Sequence, residues 1–178
     1  MSENRHIKHP FGAVIDKDCK VIILGSVPSV KSENEGFYYM HKQNKFWKVM
    51  GILLNKDLYN GGVEYRKEVL LKNHIALYDA IEECDIVGSS DNKISNEIPA
   101  DIKGFIAKSK ICKVFCLGKK SYDITLKYNK DLQDIIVKLP SSSPANASYS
   151  VERLVQEWRE ILQYIKWYLM QILYYKKY

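Results

Sequence analysis

No stretch of this chain approaches the ~18 consecutive apolar residues that a membrane-spanning helix needs. No membrane partner is therefore expected, even though hydrophobic residues make up 46% of the 178. Cysteine is sparse: Cys19, Cys84, Cys112 and Cys116 are scattered without a C-x-x-C pair. That argues against a metal or an iron–sulfur cluster and makes buried, reduced thiols the expected state. Histidine is sparse too. Only His6, His9, His41 and His74 are present and no G-x-S-x-G turn occurs, so a serine hydrolase using Ser26 as nucleophile lacks its supporting parts. The opening MSENRHIKHPFG has no apolar leader, which sets a cytoplasmic expectation. No linker, internal repeat or low-complexity segment interrupts the chain, so one domain over residues 1–178 and a monomer are expected.

What is present is an alternation. Strand-like apolar runs recur at Val21 to Leu24, Ile75 to Tyr78, Val114 to Leu117 and Ile135 to Val137, and the segments between them have helical spacing. The pattern predicts an α/β fold with a central, mostly parallel four-stranded sheet. Phe46, Trp47, Met50, Leu53 and Leu54 mark one helix; Tyr65, Val69 and Leu70 mark a second before Asn73. Pro99 heralds a third carrying Ile102, Phe105 and Ile106, and Lys119 to Tyr128 follows the third strand directly. The last helix is expected from about Ser150 through Val151, Leu154, Trp158, Ile161, Leu162, Ile165 and Leu169. Beyond it, residues 167–178 stay apolar and aromatic. They read as an extra helix or tail that packs on the domain, associates with itself or touches a membrane surface, with packing expected.

Lysine and arginine outnumber aspartate and glutamate 27 to 21, a net charge of +6 that suits a polyanionic partner. Three loops carry chemistry. GSVPS follows the first strand, and LPSSSPANA, Leu139 to Ala147, follows the fourth. Both lie where ligands collect in open α/β sheets. Their serines and backbone N–H groups suit phosphate oxygens, although an ordinary surface loop has the same composition. Between them in sequence lies GFYYMHKQNKFW, Gly36 to Trp47. Its aromatics would line a nucleobase pocket or simply pack as core.

Taken together, these motifs resemble the uracil-DNA glycosylase superfamily, and within it the hypoxanthine-DNA (deoxyinosine) glycosylase branch. The family pattern joins GS-x-P-[GS], G-x-Y-Y-x-H-P-x-N-x-F-W and L-P-S-[ST]-S-P-A-N-A. IALYDAIEECDIVGSSDNKI and NEIPADI continue the likeness, which spans about Lys20 to Trp158. The resemblance implies a three-layer α/β/α sandwich and a monofunctional glycosylase. Such an enzyme hydrolyses the N-glycosidic bond of deaminated bases flipped out of DNA, hypoxanthine first, with uracil or xanthine as further substrates. No cofactor is implied, and the partner is DNA carrying deaminated bases.

Carried over by position, Tyr39 resembles the aromatic that stacks on the extruded base and Asn44 the catalytic asparagine. Ser26 lies where other branches place a water-activating group. Asp79 is a candidate base, a stabiliser of the sugar cation, or an acceptor for loop N–H groups. Gly25, Phe37 and His41 complete the expected base-binding set. Ser141, Ser142, Ser143, Pro144, Asn146 and Lys119 are expected to meet DNA. Ser89 and Asp91 belong to the same family segment or to a turn of their own.

Three positions depart from the pattern. Lys42 replaces a proline, Leu117 stands where many relatives carry a polar residue, and Leu139 stands where uracil-specialised branches carry His or Asn, so the resemblance implies that uracil is a poor substrate. Lys42 and Leu117 also keep a non-catalytic nucleic-acid or nucleotide-binding module as the alternative.

Overall fold

The computed structural model describes residues 4–87 and 94–165. Ser89, Asp91 and the 167–178 tail lie outside the described residues. Four parallel strands form the central sheet: β2 (Val21–Gly25), β3 (Ile75–Asp79), β6 (Lys113–Leu117) and β7 (Ile136–Leu139), in the spatial order β3-β2-β6-β7. Every residue of β2 and β3 is buried, as apolar strands covered by helices on both faces must be. The chain leaves β2 for β3 on one side, then crosses β2 to lay β6 and β7 on the other. That reversal opens a crevice at the carboxyl ends of the strands. The β2–β3 register sets Gly25 opposite Asp79. The fourth strand begins one residue later than its apolar run suggests, because Lys130–Ile135 winds into a 3-10 turn.

The helices follow their local signals. In α1 (Val30–Glu35), Ser29 caps the start and Gly36, at φ 67°, closes the end. The helices α2 (Phe46–Leu54) and α3 (Val63–Lys72) fill the first crossover. Asp101 caps α4 (Ile102–Ala107), Gly118 precedes α5 (Lys119–Tyr128), and Ser150 caps α6 (Val151–Trp158). Helices α2 and α6 pack together, with Phe46 and Trp158 in contact at 5.8 Å between ring centroids. Trp158 is fully buried and its Nε1–H donates to the Pro140 carbonyl at 3.0 Å, so α6 holds the base of the last loop.

A second sheet was not signalled by the four apolar runs. β1 (Asn4–Lys8), β4 (Ile81–Val87) and β5 (Ile94–Pro99) form an antiparallel ribbon in the order β1-β4-β5. Only Ala80 separates β3 from β4. Ile7, Ala80, Ile81, Cys84, Ile86 and Ile124 form its own small core. The thiol expectation holds for Cys19, Cys84 and Cys116, which are buried. Cys112 is exposed and corrects it.

Candidate active site

A cavity of about 130 Å³ opens at the carboxyl ends of β2, β3 and β6, with room for far more than one water. Gly25 and Ser26 come from the end of β2, Asp79 from β3 and Leu117 from β6; Tyr38, Tyr39 and Asn44 come from the aromatic loop, and Ser141 to Ser143 from the last loop. Two loops far apart in sequence thus reach one cavity. They are also tied to each other. The Lys45 backbone N–H donates to the Ser142 carbonyl at 3.1 Å, and Lys45 Nζ to the Tyr149 carbonyl at 2.5 Å.

Tyr39 adopts φ 56°, in the left-handed region, which is costly for a bulky residue and persists only when its surroundings impose it. Here the ring is stacked on Phe46, with centroids 4.0 Å apart and planes 14° apart. Phe37 and Trp47 stack likewise at 5.6 Å, and the Trp47 indole N–H donates to the Tyr38 carbonyl at 2.9 Å. The loop is therefore both core and wall: Phe37 is buried among core side chains, while Tyr39 faces the cavity.

The Asn44 Oδ1 accepts the Phe46 backbone N–H at 2.9 Å, supplying one of the acceptors that a helix start lacks. The two Nδ2 donors and one Oδ1 lone pair remain for other partners. Space explains Gly25. A Cβ there would lie 2.2 Å from Asp79 Oδ1 and 2.8 Å from the Tyr39 hydroxyl oxygen, so those two oxygens flank one point above the end of β2.

Asp79 is 3% exposed. Its Oδ2 is 2.9 Å from His9 Nε2, and His9 Nδ1 is 2.7 Å from the Phe11 carbonyl oxygen. The two residues that follow it, Ala80 and Ile81, donate their N–H groups to the carbonyls of Gly25 and Ser26. Neighbouring phenols stay protonated. Burial, then the Asp79 charge, pushes Tyr38 up, and its hydroxyl donates to the Gly12 carbonyl at 3.0 Å. Burial and Glu82 push Tyr78 up as well.

Of the residues singled out from sequence, Gly25, Ser26, Tyr39, Asn44, Asp79, Ser141, Ser142 and Ser143 line this one cavity. Phe37, His41, Pro144, Asn146 and Lys119 do not. His41 is exposed and its Nδ1 accepts the Gln43 N–H; Asn146 Nδ2 is spent on the Ser141 carbonyl; Lys119 pairs with Asp123 on its own helix. Leu117 lines the cavity, and Leu139 is buried beside it in the core rather than on its wall.

Arg5, Phe11 and Ile86 also line the cavity, brought there by the N-terminal segment and the antiparallel ribbon. None carried a sequence signal beyond the H-P-F triplet at residues 9–11. Among the described residues no cluster of three metal-ligating side chains occurs, and no helix is long and apolar enough to cross a membrane.

The family model of the uracil DNA glycosylase superfamily matches residues 12–166. A hypoxanthine DNA glycosylase from Methanosarcina acetivorans is 31% identical over 162 residues, covering 89% of this chain and 99% of that protein. One of the same name from Methanosarcina barkeri is 36% identical over 90 residues, 51% of this chain and 57% of that protein. A solution NMR structure from M. acetivorans, named provisionally as a uracil DNA glycosylase, superposes with a TM-score of 0.75 at 30% identity. That match covers 89% of this chain and 98% of that one.

Proposed function

From the chain's membership of the uracil DNA glycosylase superfamily, we propose that it is a monofunctional DNA glycosylase that removes hypoxanthine from deaminated DNA and leaves an abasic site. One observation carries the reading of the site. A stacking ring, a fixed side-chain amide and a serine loop, drawn from separate parts of the chain, share one cavity beyond the sheet. A base inside a duplex cannot be attacked, so the nucleotide must be turned out into such a cavity, with an aromatic face to hold it and phosphate contacts to hold its backbone. Tyr39 takes the base, and Ser141 to Ser143 take the flanking phosphate.

Breaking the glycosidic bond develops positive charge on the sugar and negative charge on the departing base. Positioned dipoles serve that separation without covalent help. Asn44 supplies them: its amide is oriented by the Phe46 N–H, so its donors meet the departing base while its remaining lone pair orients water. Water adds to the sugar carbon as the carbon–nitrogen bond breaks, and the water's proton ends on the base. No lysine lines the cavity among the described residues, and Lys45 Nζ is bound to the Tyr149 carbonyl. This supports simple hydrolysis over a lyase step through a Schiff base.

The test is release of free base from duplexes carrying deoxyinosine, deoxyuridine or deoxyxanthosine, with undamaged DNA as control. Hypoxanthine release in preference to the others is expected. Salt-sensitive binding with no release from any duplex would establish a binding module instead.

A further inference from the structure

His9 does not itself line the cavity, yet it is hydrogen-bonded to Asp79, which does. Its side chain is fully buried and that of Asp79 nearly so. The ring is boxed in, stacked on Tyr78 at 4.3 Å and 27° and set edge-on to Phe11 at 4.9 Å. A carbonyl oxygen can only accept, so the 2.7 Å contact to Phe11 fixes a proton on Nδ1. The 2.9 Å contact between Nε2 and Asp79 Oδ2 then holds one more proton. Asp79 Oδ2 is thereby locked, and Oδ1 is turned over Gly25 beside the Tyr39 hydroxyl. Of the described residues lining the cavity only Arg5 and Asp79 are of charged type, and Arg5 is engaged by Glu33 at 2.9 Å. Leu117 offers nothing polar.

We propose that His9 is a positioning residue that holds Asp79 Oδ1 at the floor of the cavity as a fixed acceptor for the ring N–H of a lactam purine. This rests on the glycosylase reading above. The chemistry is that of deamination itself. Adenine presents a ring-nitrogen lone pair at position 1, which a carboxylate oxygen repels; hypoxanthine presents an N–H there, which it accepts. A site built around a buried acceptor rejects analogues lacking the donor by orders of magnitude, because the acceptor is otherwise left unpaired. His9 supplies the rigidity. With both ring nitrogens committed, the carboxyl group cannot rotate to spare the wrong base.

The test compares single-turnover base release from duplexes carrying deoxyinosine or the unsubstituted purine nucleoside, which stacks alike but lacks the N–H. Wild type, His9→Phe, Asp79→Leu and the double variant are used; leucine matches the branched shape of aspartate and offers no acceptor. His9→Phe keeps an aromatic ring against Tyr78 and removes both hydrogen bonds. Wild type is expected to favour deoxyinosine strongly. Each single variant is expected to lose about a hundredfold on deoxyinosine and much of the preference, and the double variant no more than either, because the two residues act as one unit.

A merely structural role would lower both substrates in proportion, and an unchanged preference in Asp79→Leu, which has no acceptor, overturns the proposal even if His9→Phe fails to fold. A second readout is independent of turnover: a solvent-protected, far-downfield proton resonance in the wild-type NMR spectrum that Asp79→Leu abolishes. Its absence overturns the pairing. If wild type releases no base but shows this proton, the glycosylase reading fails while the His9–Asp79 lock stands.

Discussion

The Tyr39 and Phe46 rings lie parallel, 4.0 Å apart, so one face of Tyr39 is filled by protein and the ring cannot swing away from the cavity it lines. Phe46 is fully buried at the start of α2. The stack therefore transmits the rigidity of the core to a residue whose backbone sits in the left-handed region.

Tyr39→Ala is expected to remove the stacking surface, worth about 1–3 kcal/mol per base. That corresponds to roughly a 5- to 160-fold fall in kcat/KM on deoxyinosine. Tyr39→Phe keeps the ring and is expected to stay within a few-fold of wild type. Steady-state assays on matched duplexes compare the two.

Asn44 has two duties that substitution separates. Asn44→Ala loses both the hydrogen bond from the Phe46 N–H, worth about 0.5–1.5 kcal/mol, and the amide donors. Asn44→Asp keeps an acceptor for the Phe46 N–H but carries no donor. A melting temperature close to wild type is expected for Asn44→Asp, with base release slowed by about 10²–10³. Wild-type rates in either variant would remove Asn44 from the chemistry.

Gly25 is required for space, since its added Cβ would meet Asp79 Oδ1 and the Tyr39 hydroxyl well inside contact distance. Gly25→Ala is expected to cost about 1–3 kcal/mol, a drop of roughly 2–12 °C by calorimetry, and to abolish base release by displacing both oxygens.

The cysteines give a chemical check on the fold. Burial pushes the Cys19 thiol up to about 12, and Cys84 and Cys116 up to about 11, so all three are neutral thiols at pH 8 and inert toward alkylation. Cys112 is exposed. Iodoacetamide is expected to add one group to the folded protein and four after denaturation, read by mass spectrometry.

The parallel sheet was legible because β2, β3 and β6 are buried on both faces and so read as unbroken apolar runs between helical spacings. The antiparallel ribbon was not. β4 mixes buried and half-buried residues, and β5 has none fully buried, so neither offers a run; β4 also pairs with β1, more than seventy positions away in the register Asn4 to Val87. The cavity was legible in its loops, since Tyr39, Asn44 and Ser141 to Ser143 belong to motifs with their own wording. Phe37 and His41 share that wording but face the core and the solvent, because neighbouring residues of a turning loop point in different directions.

The sequence by itself determined the alternation of strands and helices, the loops that close the cavity and the family resemblance, since each is written in consecutive residues whose burial and turn preferences act locally. Only the tertiary structure decided that His9 reaches Asp79. Their contact spans seventy positions and depends on the N-terminal segment crossing the end of β3 and on the β2–β3 register. A lone histidine carries no local pattern from which either could be read.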